Sequence, residues 1–481
     1  MKMLKRAHQK GMLTLRIGAL LGLIAASVIT AQAQTTVDER LAALEARIQQ
    51  LEHELAAAKA APADSASLAK PVSRTGDSAI APYIRPAVLT TAEPPATLSA
   101  EPAQAAAAPS PEERIKDLDF DALGFFKGTK MSGLLDVYYL YNFNKPSPPV
   151  LPFRNFDQNA KSITLNLAEL SLAKAVSPEV PIGYNLTFAV GPTADLVNGS
   201  DPVNPISVGP VTLNGSRLTG AASTKILSTS ANFLQYYISG RVPIGRGLVV
   251  DVGKWVTPFG AEVIETPTNW NYSRSLLFTL AIPYYHFGVR ATYPLSDKAS
   301  VGFHVVNGWN NVIDNNGAKT YGFMLGLTPS SHFSLVQTWM GGPEQAGENS
   351  NFRHTYNMVM TIPSKMVSFM TDFVYGHEAK AASDGSDVMW YGTAAYLKFQ
   401  MGPKFALIPR FEWFKDADGF TTGTVQNWRE FTLTPEIAFN EHLLTRFEYR
   451  RDWSTGGSFA RGPAESGKSQ DTLSGGMMLK F

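Results

Sequence analysis

Apolar and polar positions alternate with a period of two from about Gly124 to Phe481. Met131, Gly133, Leu135, Val137, Tyr139, Tyr141 and Phe143 alternate with Ser132, Asp136 and Asn142, although Leu134, Tyr138 and Leu140 blur the second face. The same alternation runs through residues 184–190, 248–253, 285–293, 405–413 and 443–450. The final stretch puts Leu473, Met477, Leu479 and Phe481 on one face. A two-residue period with one apolar face is the mark of a β-strand. The connections alternate too. Residues 294–298, 329–332, 363–365, 401–404 and 440–442 are short turns, and 310–319, 341–351, 377–387, 416–424 and 454–470 are longer polar loops. In an antiparallel meander this rhythm puts every short turn on one side, as in outer-membrane barrels, whose short turns face the periplasm. The pattern predicts an all-β fold over 124–481, a transmembrane antiparallel β-barrel of about 16 strands. Closure removes exposed edge strands, and a ring of that size leaves an aqueous channel. Tyr138, Tyr139, Tyr141, Tyr236, Tyr237, Tyr284, Tyr285, Trp390, Tyr391, Trp413 and Trp453 fall near strand ends. There they are expected at the level of the lipid headgroups.

The N-terminal quarter has a different texture. Residues 1–33 read as a secretory signal: a basic start, an apolar stretch over 17–29, and the small-x-small site Ala31-Gln32-Ala33. Val37, Leu41, Leu44, Ile48, Leu51, Leu55 and Ala58 follow alternating spacings of four and three. They predict a coiled-coil helix over 37–59, placed in the periplasm, whose apolar seam needs a partner. Residues 60–123 are rich in Ala, Pro, Ser and Thr with few large apolar side chains, and they read as a disordered linker.

Composition narrows the function classes. Mean hydropathy is −0.08, and beyond the N-terminus no apolar run is long enough for a spanning helix. Removing the lysines and arginines at positions 2, 5, 6, 10 and 16 turns the net charge of +1 into −4, which gives no electrostatic support for nucleic acid as a partner. The chain has no cysteine, which fits an export route and excludes a lipid-anchored N-terminus. Residues 462–469 match the phosphate-binding pattern G-x-x-x-x-G-K-S. No strand–helix frame surrounds them, so they read as an external loop. The eight histidines form no tight ligand pair, and no metal or cofactor is implied. His286, His304 and His377 are candidates for an enzyme at the barrel rim, but a solvated rim histidine is the commoner case. The reading is of a non-enzymatic protein.

The informative residues are charges with inward parity: Asp136, Asp251, Arg290, Asp372, Arg410, Glu412, Glu430, Arg446, Glu448 and Arg450. An Arg or Lys facing lipid near the midplane costs ~2–4 kcal/mol, so these face water and are expected to be solvated rather than paired. They form either a wet wall or a selectivity ring. Residues 257–283 break the strand pattern with Pro258, Gly260, Pro267 and Pro283, and carry Glu262, Glu265 and Arg274. This stretch is either an external loop or a segment folded into the lumen. In the second case Glu262 and Glu265 face the row Arg410, Arg446 and Arg450 across the opening, giving a transverse field.

Two stretches carry a family resemblance. The ending Leu473-x-Gly475-x-Met477-x-Leu479-x-Phe481 resembles the C-terminal strand signature of outer-membrane proteins, which implies recognition by the barrel-assembly machinery. Residues 253–264, 271–278, 287–293 and 306–310 together resemble the outer-membrane β-barrel porins of the OmpL-like family, over about 125–481. The resemblance implies an outer-membrane location, membrane lipid as surroundings, and passive diffusion of small hydrophilic solutes or ions. Porin subunits commonly form trimers, so a homo-oligomer is expected, with residues 37–58 as its determinant. Two other readings stay open: a channel specific for sugars or oligosaccharides, with aromatic side chains as stacking platforms, and a structural barrel that tethers envelope layers.

Overall fold

A computed structural model describes residues 126–201 and 232–481, and the backbone of 212–213 and 216–217. The signal, the coiled-coil helix and the linker expected before residue 124 lie outside the described residues.

Sixteen antiparallel strands form one closed ring. They are β1 (Lys130–Asn142), β2 (Ile163–Lys174), β3 (Ile182–Val190), β4 (Phe233–Val242), β5 (Leu248–Val256), β6 (Tyr285–Ser296), β7 (Ala299–Val306) and β8 (Thr320–Ser330). They continue as β9 (Phe333–Pro343), β10 (Phe352–Ile362), β11 (Val367–Glu378), β12 (Val388–Gln400), β13 (Phe405–Asp416), β14 (Gln426–Ala438), β15 (Leu443–Ser454) and β16 (Ser469–Lys480). Each strand pairs with its sequence neighbours, and β1 closes the ring on β16, with Leu134 opposite Lys480 and Asn142 opposite Thr472. Phe481 extends that seam by exchanging backbone hydrogen bonds with Gly133 at 3.0 and 3.1 Å. Its ring lies over Gly133, where a Cβ would stand 2.3 Å from it. The bare glycine leaves room for that ring.

The predicted period of two is realised strand by strand. On β1, Leu135, Val137 and Tyr139 face out and are exposed, while Asp136 faces in and is buried. On β13, Phe411 faces out while Arg410 and Glu412 are buried inside. Such an outer face suits hydrocarbon, because the closed ring leaves no unpaired strand edge to meet lipid. Among the described residues, no helix is long and apolar enough to cross a membrane. The long connections all leave the ring on one side, as the sequence rhythm requires.

The lumen departs from expectation. It holds an apolar core rather than water alone. Phe259, Ile264, Trp270, Tyr272, Leu276, Leu277, Phe278, Ile282 and Tyr284, all between β5 and β6, pack with Trp390, Tyr396, Phe414 and Trp428 of the wall. Leu151 and Phe156, between β1 and β2, join them, as do Leu196 and Val197 of a short helix α1 (Pro192–Gly199). This explains the blurred second face of β1: Tyr138 and Leu140 are buried inside, and Tyr138 meets the Tyr272 ring at 5.7 Å. It also corrects the aromatic belt. Tyr138, Tyr284, Tyr285 and Trp390 are buried within the barrel, and Tyr237 stacks under Arg290 at 5.1 Å. Tyr139 faces outward as expected.

A ring closed by hydrogen bonds between its first and last strands unfolds as a unit. Unheated protein in detergent should migrate differently from boiled protein on a denaturing gel, with a circular dichroism spectrum dominated by strand. A mainly helical spectrum would contradict the architecture.

Candidate functional site: a segment folded into the lumen

Residues 257–284 connect β5 to β6 and fold into the barrel. The backbone here is mostly irregular, with a 3-10 turn at Thr266–Thr268 and a π-helical turn at Leu277–Ala281. Irregular backbone leaves N–H and C=O groups without the partners a helix or sheet provides, and buried ones must find them elsewhere. Here the wall supplies them.

Carboxylates of the wall accept the segment's amides. Glu448 of β15 accepts Tyr272 N at 2.8 Å and Ser273 N at 3.2 Å. Glu412 of β13 accepts Leu276 N at 2.7 Å and Leu277 N at 2.9 Å. Asp372 of β11 accepts Ala261 N at 3.0 Å, and Asn357 of β10 accepts Gly260 N at 2.9 Å. Guanidiniums donate to the segment's carbonyls. Arg410 reaches Ser273 O at 2.7 Å, Arg446 reaches Thr266 O at 2.7 Å and Asn271 O at 3.1 Å, and Arg450 reaches Arg274 O at 2.6 Å. Asp136 of β1 accepts from the Thr266 hydroxyl at 2.6 Å and the Tyr272 hydroxyl at 2.9 Å. Arg274 binds the segment to itself, donating to Val263 O at 3.0 Å, to Ile264 O and to Tyr272 O at 2.6 Å.

The wall arginines are paired and the wall acids without an ion pair, Asp136, Asp372, Glu412 and Glu448, are held by the segment's amides and hydroxyls, which corrects the expectation that these charges are solvated. Arg410 meets Glu430 at 2.9 Å and Glu262 of the segment at 2.8 Å. Arg446 meets Glu436 at 2.7 Å, Arg450 meets Asp452 at 2.7 Å, and Arg290 meets Asp251 at 2.7 Å. Arg410, Arg446, Arg450, Glu412, Glu430 and Glu448 are at most 2% exposed. An unpaired charge would not be stable at that burial. Glu262 touches Arg410 directly, so no water gap separates those two rows, and the simple transverse field between them does not arise. Glu265 does not join the ladder; its Oε2 has no hydrogen-bond partner.

Glycines in the wall make room for the segment. A Cβ at Gly476 would stand 2.2 Å from the Tyr272 ring, and one at Gly392 would stand 2.7 Å from Leu277. Beside the segment's tip lies a cavity of about 300 Å³. Glu265, Pro267 and Thr268 border it on one side, and Glu169, Ser171, Asn185, Thr187 and Gln235 of β2–β4 on the other.

Several participants were missed in the sequence. Glu436 shares strand and parity with Glu430, a readable signal. Helix α1 begins with Pro192 and has Asp195 in its first turn, which is also a readable start. Glu169 and the Arg154–Asp157 pair, which ties the 143–162 connection to Asp452 at 3.3 Å, carried no such signal. In the loop after β9, Glu344 accepts Trp309 N at 2.6 Å, and burial pushes its carboxyl up to about 7.

The phosphate-loop match is a hairpin: Phe459–Arg461 pairs with Glu465–Gly467, and β16 starts at Ser469. The His286 and His304 rings lie 5.3 Å apart, tilted to each other, inside the barrel, and His377 at the end of β11 meets Asp387 of the following loop at 3.2 Å. Among the described residues no three His, Cys, Asp or Glu side chains gather as a metal site.

Glu412→Ala removes the acceptor of two amides. Hydrogen exchange at Leu276 and Leu277 should rise sharply while the strands stay protected. Arg410→Ala strands two buried carboxylates, a loss of about 3–5 kcal/mol, and should free the same segment. Unchanged exchange in both variants would mean that the ladder does not hold it.

No curated protein matches the chain. Among solved structures it is similar to an anion-selective porin from Comamonas acidovorans (9% identity, 73% of this chain and 99% of that one, TM-score 0.47). It is also similar to OmpF of Salmonella typhi in complex with daunomycin (9%, 73% and 97%, TM-score 0.49) and to the outer membrane channel DcaP of Acinetobacter baumannii (10%, 73% and 97%, TM-score 0.44). Residues 128–481 match the model of the family described as "Putative beta-barrel porin-2, OmpL-like". The chain belongs to that family of outer-membrane porin barrels.

Proposed function

We propose that the barrel passes small hydrophilic solutes or ions by passive diffusion, through a lumen narrowed by residues 257–284. One observation carries this reading: the inserted segment is fastened to β10–β16 and β1, while its tip leaves a polar cavity against β1–β4. A protein that had only to tether envelope layers would need no such opening. In this reading Arg410, Glu412, Arg446, Glu448 and Arg450 are the residues that fix the constriction, with Glu262 and Arg274 as their counterparts on the segment. Glu265 borders the cavity, and the Asp251–Arg290 pair belongs to the wall beyond the ladder.

A sugar-specific channel would need aromatic faces open to the lumen. Tyr138, Tyr272, Trp390 and Tyr396 are covered instead, each at most 2% exposed. That supports a general channel over the sugar-specific alternative.

Purified full-length protein in planar bilayers should give discrete conductance steps, unblocked by a panel of mono- and oligosaccharides. Arg410→Ala combined with Arg446→Ala should raise the conductance and add current noise, because the segment loses its fastening. Silent bilayers with folded barrels would refute the channel. An unchanged step in the double variant would refute the constriction.

A further inference from the structure

Strands β13–β15 carry cations on both faces. Alternation puts Arg410, Arg446 and Arg450 inside, each paired with a carboxylate. The same alternation puts Lys415 of β13, Arg429 of β14 and Arg451 of β15 outside, where Arg429 and Arg451 are exposed and Lys415 is half-buried. Each lies within three residues of its strand's long-loop end. Lys415 pairs in register with Asn427, two residues from Arg429, and Arg429 stands opposite Trp453, two residues from Arg451. The three cations therefore follow one diagonal across neighbouring strands, with ~7–8 Å between successive backbone positions.

Acids on this face do not balance them. Arg451 meets Asp471 of β16 at 3.3 Å, and the Tyr449 hydroxyl donates to the same carboxylate at 2.6 Å. Lys415 lies over the Tyr391 ring at 5.8 Å. Among the described residues, neither Lys415 nor Arg429 has an ion pair. Asp418, in the loop after β13, accepts Met389 N at 2.8 Å. Aromatic rings frame the row. Trp413 is opposite Arg429 on one side and Trp453 on the other, and Trp413 meets the Tyr391 ring edge to face at 5.6 Å. Such rings settle at the headgroup level, and the long loops of these barrels are extracellular, so this level is that of the outer leaflet. Farther from the loops the same face is apolar, with Phe411, Phe431, Phe447 and Leu473 exposed.

An ammonium and two guanidiniums above an apolar strip match a lipid with an anionic head. Guanidiniums in particular grip phosphate through paired N–H donors. The row is two diagonal steps long, more than one phosphate can bridge, which favours a head with separated phosphates over a single phosphodiester. We propose that the outer face of β12–β16 at its long-loop end holds a phosphorylated glycolipid of the outer leaflet, with Lys415, Arg429 and Arg451 on its phosphates and the apolar strip against its acyl chains. The proposal concerns the face turned to lipid and is independent of the channel reading.

The test titrates purified full-length protein in detergent with lipid A, a diphosphorylated glucosamine disaccharide, and counts bound lipid by native mass spectrometry. The wild type should retain lipid A. Lys415→Gln combined with Arg429→Gln and Arg451→Gln should weaken binding about tenfold or more, the loss of at least one charge-assisted bond. Dephosphorylated lipid A should bind the wild type no better than lipid A binds the variant. Equal binding of lipid A by both proteins overturns the proposal, as does equal binding of the two lipid A forms by the wild type. Phosphatidylglycerol bound as tightly as lipid A also overturns it. A variant that loses its oligomer but keeps lipid A assigns the patch to contact between copies, with the same consequence. The gel shift on heating shows whether the triple variant is folded. If it is not, the single Arg429→Gln variant and the wild type's choice between the two lipid A forms decide the matter.

Discussion

A ring of sixteen strands encloses more space than its own inward side chains fill, and any backbone that enters that space needs partners for its amides and carbonyls. The structure depends on how this chain meets that constraint. Acids on β11, β13 and β15 take the amides of residues 261–277, and arginines on β13 and β15 take the carbonyls. Amides of the segment are thus answered by wall acids and several of its carbonyls by wall arginines, and the arginines are answered in turn by Glu430, Glu436 and Asp452 on their own or a neighbouring strand. Charge-assisted bonds of this kind are each worth about 1.5–3 kcal/mol net. The cost of leaving one partner buried alone makes the set cooperative rather than a sum of independent contacts.

The electrostatic consequence differs from what a charged wall implies at first sight. Ten or so ionisable groups seen on the inward parity would make a strong field if they were bathed in water. Fastened to one another and to a peptide chain, they are structural. The apolar side chains of the segment, Leu277 and Phe278 among them, seal the same interface against β11 and β12 by hydrophobic contact. The cavity between the segment's tip and β1–β4 lies outside that interface.

The barrel was legible because lipid enforces a period of two on nearly every strand, and because turns and loops alternate along the meander. Its size followed from the length of that pattern. The irregularity of 257–283 was legible too, from Pro258, Gly260, Pro267 and Pro283. Its destination was not, since the alternatives of external loop and inserted segment differ only in contacts made across more than a hundred residues of sequence. Arg410 and Ser273 meet because β13 stands where it does in the ring, and no local pattern records that. For the same reason Trp390, whose Nε1 donates to Ala281 O, read as a headgroup anchor: an aromatic ring near a strand end has the same spacing whether it turns toward lipid or toward an inserted segment. The slight excess of apolar residues on the second face of β1 was the trace of that segment in the sequence.

The central claim is that the segment stays against the wall while the barrel conducts. Asn271 of the segment donates to the Thr434 hydroxyl of β14 at 2.8 Å, among the contacts that fasten it. In the cysteine-free chain, Asn271→Cys with Thr434→Cys can be bridged by a short thiol-reactive cross-linker and recorded in a bilayer. The account predicts that the bridge forms readily and leaves single-channel conductance at its unbridged value. A bridge that abolishes the current, or a pair of thiols that cannot be bridged in folded barrels, would contradict it.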